Sequence, residues 1–90
     1  IGGEAVDYAL GKSEVTIGRG KTSDIRIQSH YISRHHARIS TRGIATTIED
    51  VGSKNGILVN QEKVKRALLR DGDVVTLASE LEFKFVDARH

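Results

Sequence analysis

Apolar and polar positions alternate over short runs along most of the chain. Val15-Thr16-Ile17, Ile25-Arg26-Ile27, Ala37-Arg38-Ile39-Ser40 and Phe83-Lys84-Phe85 each place apolar groups on one side of a pleat. Thr46-Thr47-Ile48-Glu49 and Val74-Val75-Thr76-Leu77 are rich in β-branched residues, which suit strands. The chain has no proline, so glycine and polar turns supply all the punctuation. Arg42-Gly43 reads as a tight hairpin, Asn55-Gly56 as a turn that tolerates positive φ, and Asp71-Gly72-Asp73 as a further turn. No stretch carries a sustained helical stripe. The nearest to one, Gln61 to Arg70, offers Val64, Ala67 and Leu68 but runs straight into the Asp-Gly-Asp turn, and it reads as strand and loop. Many short strands with frequent turns predict an all-β, antiparallel sandwich.

Composition narrows the class. Ninety residues suit one domain spanning 1–90, with a patterned core of about 15–85. Hydrophobic residues at 38% and charged residues at 29% form an ordinary globular balance, which argues against disorder. A formal charge of +2 and a pI near 9.2 are too small a surplus for a nucleic-acid coat. Two Phe, two Tyr and no Trp leave few platforms for base stacking, so no nucleic-acid partner is expected. Without cysteine there is no disulfide and no thiolate metal site, which fits a reducing, cytoplasmic setting. No apolar run reaches membrane-spanning length, so no membrane partner is expected. The first residues hold neither an initiator Met nor a basic-then-apolar leader. The chain therefore reads as a piece of a larger protein, with other domains of that parent among its partners.

The stretch GRGKTSD, residues 18–24, has the look of a phosphate loop. A Walker A loop would need its first glycine at position 15, which is Val15. A dinucleotide fingerprint would need a glycine where Ser23 stands. Both motifs also need a following helix to face the phosphate, and Asp24-Ile25-Arg26-Ile27 alternates like a strand. No cofactor is expected on these grounds. Ser33 and His36 suggest a nucleophile and base, but residues three apart on a strand face opposite ways, so they give no catalytic pair there. His30, His35 and His36 lack a carboxylate at metal-ligand spacing and read as solvated or hydrogen-bonded, not as a metal site.

What fits is a set of loops. Gly18-Arg19 ends one strand, Ser33-Arg34-His35-His36 precedes another, and Ser53-Lys54-Asn55-Gly56 makes a turn. Loops at one end of a sandwich converge although distant in sequence. Arg19, Ser33, Arg34, Lys54 and Asn55 would then share one rim, donor-rich and acid-poor, suited to a dianionic phosphate on a side chain.

In order and spacing, Gly18-Arg19, Ser33 to His36, Asn55-Gly56, Val59-Asn60 and Leu69 to Asp73 resemble the forkhead-associated (FHA) domain family. The match runs from about Val15 to Phe85. The resemblance implies a sandwich of two twisted, mainly antiparallel sheets whose loops at one end bind phosphothreonine in a partner protein or peptide, without catalysis. It implies that Arg19 and Ser33 hold the phosphate, that Arg34 or Lys54 adds charge, and that Asn55 bonds the peptide backbone. Gly18, His36, Gly56 and Asn60 would set the loops, His36 by bracing the one that carries Ser33. Family members often have Thr after the Asn-Gly pair; here Ile57 stands there and starts the next strand, so a change of packing and no loss of binding is expected. Arg26, Arg38 and Lys84 read as a solvated face. The alternative reading is a phosphate-independent docking or assembly module that uses a sheet face.

Overall fold

The computed structural model describes residues 12–79 and 81–87. Among the described residues nine strands form: β1 (Glu14–Gly18), β2 (Ile25–Arg26), β3 (Ala37–Arg42), β4 (Ala45–Asp50), β5 (Ile57–Val59), β6 (Glu62–Val64), β7 (Arg66–Leu69), β8 (Val74–Leu77) and β9 (Leu81–Lys84). They make a five-stranded sheet in the order β2-β1-β3-β4-β7 and a four-stranded sheet in the order β6-β5-β8-β9. Every pairing is antiparallel except β1 with β2, which run parallel with Ile17 opposite Ile25.

Alternation decides which side chains go in. Val15 and Ile17 on β1, Ile39 on β3, Ile48 on β4 and Leu69 on β7 are buried from one sheet. Ile57 and Val59 on β5 with Val75 and Leu77 on β8 are buried from the other. Ile32 and Phe85 join the same cluster from segments outside the strands. Full burial of such a side chain contributes about 1.5–3 kcal/mol, so register is strongly fixed wherever this pattern runs. Ile57, after the Asn-Gly pair, starts β5 as expected and is 1% exposed.

The structure refines one sequence expectation. The segment from Gln61 to Arg70 is not one strand with a loop. It is β6 and β7 in different sheets, with Lys65 as the crossing residue. Its mixed pattern follows, because each short strand needs its own apolar partner: Val64 packs from one sheet and Ala67 and Leu69 from the other. Asn60 and Gln61, both at positive φ (50° and 72°), form the two-residue turn that pairs β5 with β6. Left-handed backbone at both positions suits the twist of a tight hairpin.

The strands give the sandwich two ends. One end holds the loops 19–24, 27–36 and 51–56. The other holds the turns at 43–44, 60–61 and 70–73.

Candidate functional site

Three loops are laced together at the first end by bonds between residues far apart in sequence. The Arg19 N–H donates to the Ser33 carbonyl at 2.9 Å, and Gly20 N–H to the Arg34 carbonyl at 3.1 Å. Gly18 lies against the same strip of chain. A Cβ built there would stand 2.0 Å from the Arg34 carbonyl oxygen, so only glycine allows the approach.

The third loop is built around Asp50. Its Oδ1 accepts from Gly52 N–H at 2.9 Å and Ser53 N–H at 2.7 Å, and its Oδ2 accepts from the Ser53 hydroxyl at 2.8 Å. Ser53 Oγ in turn accepts from Gly56 N–H at 2.9 Å. Burial would raise the Asp50 carboxyl, but the bonds from Ser53 and Gly52 outweigh it and hold the group below its ordinary value. Gly56 closes the loop at φ 82°.

His36 fastens this loop to the one that carries Ser33. The imidazole is 0% exposed. Its Nδ1 accepts from Ser33 N–H at 3.1 Å, so Nε2 carries the proton and donates to the Gly56 carbonyl at 2.8 Å. With both ring nitrogens engaged and no solvent contact, His36 is a brace. It has no lone pair left to serve the Ser33 hydroxyl as a base.

The rim residues follow from this frame. Ser33 Oγ accepts from the Lys54 N–H at 3.0 Å, which leaves its hydroxyl proton to point elsewhere. Arg19 Nε donates to the Ile32 carbonyl at 3.0 Å, which fixes the plane of the guanidinium. Among the described residues, no hydrogen-bond partner meets its two terminal nitrogens, and the Arg34 and Lys54 side chains have no ion-pair partner. Asn55 Nδ2 donates to the Tyr31 carbonyl at 2.9 Å, binding its loop to the neighbouring one and leaving Oδ1 outward. Arg19, Ser33, Arg34, Lys54 and Asn55 are therefore brought to one end, with Gly18, His36 and Gly56 setting the loops beneath them.

Asn60 is not at this rim. Its Nδ2 donates to Asp73 Oδ1 at 3.0 Å and its Oδ1 accepts from Val74 N–H at 2.9 Å, so it organises the opposite end. The sequence reading missed Asp50 and Ser53. An Asp followed by Gly and Ser two and three residues on is the signature of a side-chain-capped turn, and that signal was there to find. Arg26 is exposed, as expected of a solvated face, and in addition lies opposite Gly18 and donates through Nε to the Arg19 carbonyl at 3.1 Å.

This arrangement defines a class of protein: a β-sandwich that presents uncommitted cationic and hydroxyl donors on loops gathered at one end. The chain belongs to the FHA domain family, whose family profile matches residues 15–78. It is 44% identical over 73 residues to the ABC transporter ATP-binding/permease protein Rv1747 of Mycobacterium tuberculosis, a match covering 81% of the chain and 8% of that protein. The structure of Mycobacterium tuberculosis EmbR in complex with a low-affinity phosphopeptide superposes with a TM-score of 0.82 at 36% identity, over 86% of the chain and 20% of EmbR. A structure from an analysis of phosphothreonine-dependent FHA domain interactions superposes with a TM-score of 0.80 at 34% identity, over 86% of the chain and 80% of that one. The chain thus spans a fifth or less of the full-length EmbR and Rv1747 proteins.

Proposed function

We propose that this domain binds phosphothreonine-containing segments of partner proteins and carries out no catalysis. One observation carries the reading: the free edge of the Arg19 guanidinium and the free proton of the Ser33 hydroxyl lie on two loops tied directly together through Arg19 N–H and the Ser33 carbonyl. A phosphate dianion can take two N–H bonds from the arginine fork and one O–H bond from the serine. Arg34 and Lys54 add positive potential, and Asn55 offers its amide oxygen to a peptide N–H. The phosphopeptide in the EmbR complex supports the reading by likeness. The setting is intracellular, and the domain serves a longer parent chain, as it does in the transcriptional regulatory protein EmbR.

Removing the Arg19 fork should cost about 2–5 kcal/mol of binding, or roughly thirtyfold and more in Kd. Titration of a phosphothreonine peptide library against the wild type and Arg19→Ala measures it. Equal binding of phosphorylated and unphosphorylated peptides would defeat the proposal.

A second reading draws on the other end, where exposed Leu68 and Ile44 line an open groove of about 420 Å³. Apolar exposure of that kind suits a partner surface that needs no phosphate. Partner capture that survives both phosphatase treatment and Arg19→Ala would favour it.

A further inference from the structure

A second basic cavity adjoins the proposed phosphate site. It has a volume of about 330 Å³ and is lined by Arg19, Arg26, Gln28, Ser29 and His30. Ser33, Lys54 and Asn55 do not line it, so it is distinct from the notch between Arg19 and the Ser33 hydroxyl. Among the described residues no carboxylate lines it. At about 30 Å³ for each water, it has room for a whole anionic side chain.

Arg26 is held in place for such a ligand. It lies opposite Gly18 in the parallel β1–β2 pair, and Ile27 N–H donates to the Gly18 carbonyl at 2.9 Å. Its Nε donates to the Arg19 carbonyl at 3.1 Å. That anchor spends one donor of the guanidinium and leaves the outer fork, the part that matches a carboxylate or phosphate. Among the described residues, neither Arg19 nor Arg26 has an acidic partner. Arg38, in the middle of the same sheet, shows the contrast: it pairs with Glu49 at 2.7 Å and Glu14 at 3.8 Å. Asp24, the acid nearest to Arg26 in sequence, is engaged by Lys12 and by the Thr16 N–H and hydroxyl. Two arginines therefore share one notch without a counter-charge among the described residues, and an anion placed between them relieves their repulsion.

We propose that the cavity between Arg19 and Arg26 is a second anion subsite, which selects phosphothreonine peptides carrying another anionic side chain, either an acidic residue or a second phosphorylated residue. The proposal rests on the phosphothreonine reading of the first site and adds a specificity to it. Gln28 and His30 supply further polar contacts, and the Ser29 hydroxyl, whose oxygen accepts from Tyr31 N–H at 3.3 Å, keeps its proton to donate.

Four peptides of equal length separate the possibilities: phosphothreonine in neutral flanks, the same with glutamates on the N-terminal side, the same with glutamates on the C-terminal side, and one with a second phosphothreonine. Calorimetric Kd values are compared for the wild type, Arg26→Gln and Gln28→Glu. Gln28→Glu fills the cavity with a carboxylate and leaves the Arg26 anchor intact. In the wild type at least one doubly anionic peptide should bind about fivefold tighter than the neutral-flank peptide, a gain in the range of partly exposed ion pairs. The glutamate and second-phosphate arms tell which anion is taken. Both variants should bring that ratio close to one, and raising the salt should shrink it in the wild type. Equal binding of all four peptides overturns the proposal. So does a uniform loss across all four in Arg26→Gln with the ratio kept, which would make Arg26 only a brace for the Arg19 loop. If no phosphopeptide binds the wild type, the phosphothreonine reading itself fails and takes this subsite with it.

Discussion

The two ends of this sandwich both tie their backbone groups across the sequence, yet they leave different groups unspent. At the phosphate end, each loop is held by a loop distant in sequence: Lys54 N–H by Ser33 Oγ, Asn55 by the Tyr31 carbonyl, Gly56 by His36. At the opposite end long-range bonds do the same work, with Gly72 N–H donating to the Phe85 carbonyl at 2.7 Å and Asp87 N–H to Asp71 Oδ1 at 2.9 Å. Arg70 N–H donates to Asp73 Oδ2 at 2.8 Å, and the Asn60 side chain clips the neighbouring turn at Asp73 and Val74. The difference is in what remains unspent. The first end uses backbone carbonyls, Ser53, Asp50 and His36 for bracing and leaves the charged tips of Arg19, Arg34 and Lys54 unpaired among the described residues. The second end spends its acid on its own turns. A binding surface needs loops that are rigid and donors that are not yet used, and the first end offers both.

The most forceful way to break the contrast is to remove the brace. His36→Ala would orphan Ser33 N–H and leave a buried void, while the Gly56 carbonyl would keep only its bond from Ala78 N–H at 3.2 Å. At about 1–3 kcal/mol for the orphaned group, with the void added, the expected loss is about 3 kcal/mol of stability. Because both loops move, phosphopeptide affinity should fall as well. Urea unfolding and peptide titration on the same variant measure the two together.

Asn60→Ala is the matching change at the other end. It deletes two hydrogen bonds and puts alanine at φ 50°, for an expected loss of about 1–2 kcal/mol. Here phosphopeptide Kd should stay at the wild-type value. A drop in affinity would show that the two ends are coupled through the strands and are not independent.

Acid should act on both ends within one pH window. Asp50 is held below its ordinary value chiefly by Ser53 and Gly52 against the pull of burial, and Asp73 by Arg70 N–H first and the Asn60 side chain next. A carboxylate depressed in the folded state stabilises fully above its unfolded value, and that stabilisation is lost as pH falls through the folded value. Both groups therefore withdraw support below about pH 3.8. Asp50→Asn or Asp73→Asn should each remove about 1 kcal/mol at neutral pH, since solvent reduces what these bonds contribute, and should flatten the acid limb of the stability profile.

How legible all this was depended on whether the cause lay within a few residues. The strands β1 and β3 were readable because burial on one face imposes a period of two, and β4 and β8 because they are rich in β-branched residues. The rim was readable because Gly18-Arg19, Ser33 to His36 and Asn55-Gly56 keep a familiar order. What escaped was set across the sheets. The crossing at Lys65 depends on which sheet still lacks an edge, and no local pattern encodes that. Asn60 reads like the other motif residues in sequence, yet β5 carries it the length of the sandwich to the far end. Arg26 alternates like any solvated strand residue, and only the parallel register with Gly18 places it beside Arg19.

The smallest expected effect lies between the two ends. Thr76 on β8 pairs with Leu58 on one side and Glu82 on the other, away from the loops at either end. It is 8% exposed, and its Oγ1 has no hydrogen-bond partner among the described residues. Thr46, also buried, differs: its hydroxyl meets the Thr41 hydroxyl at 3.2 Å across the β3–β4 pair. Thr76→Val keeps the β-branch that a strand favours and removes a polar group that folding strips of water without return. Stability should rise by about 0.5–1 kcal/mol, or a few degrees in Tm for a domain of this size, with phosphopeptide Kd unchanged. Thr46→Val should lower stability, since it orphans the Thr41 hydroxyl. Thermal unfolding of the two variants side by side decides it: a loss in both would mean that the Thr76 hydroxyl is satisfied in solution.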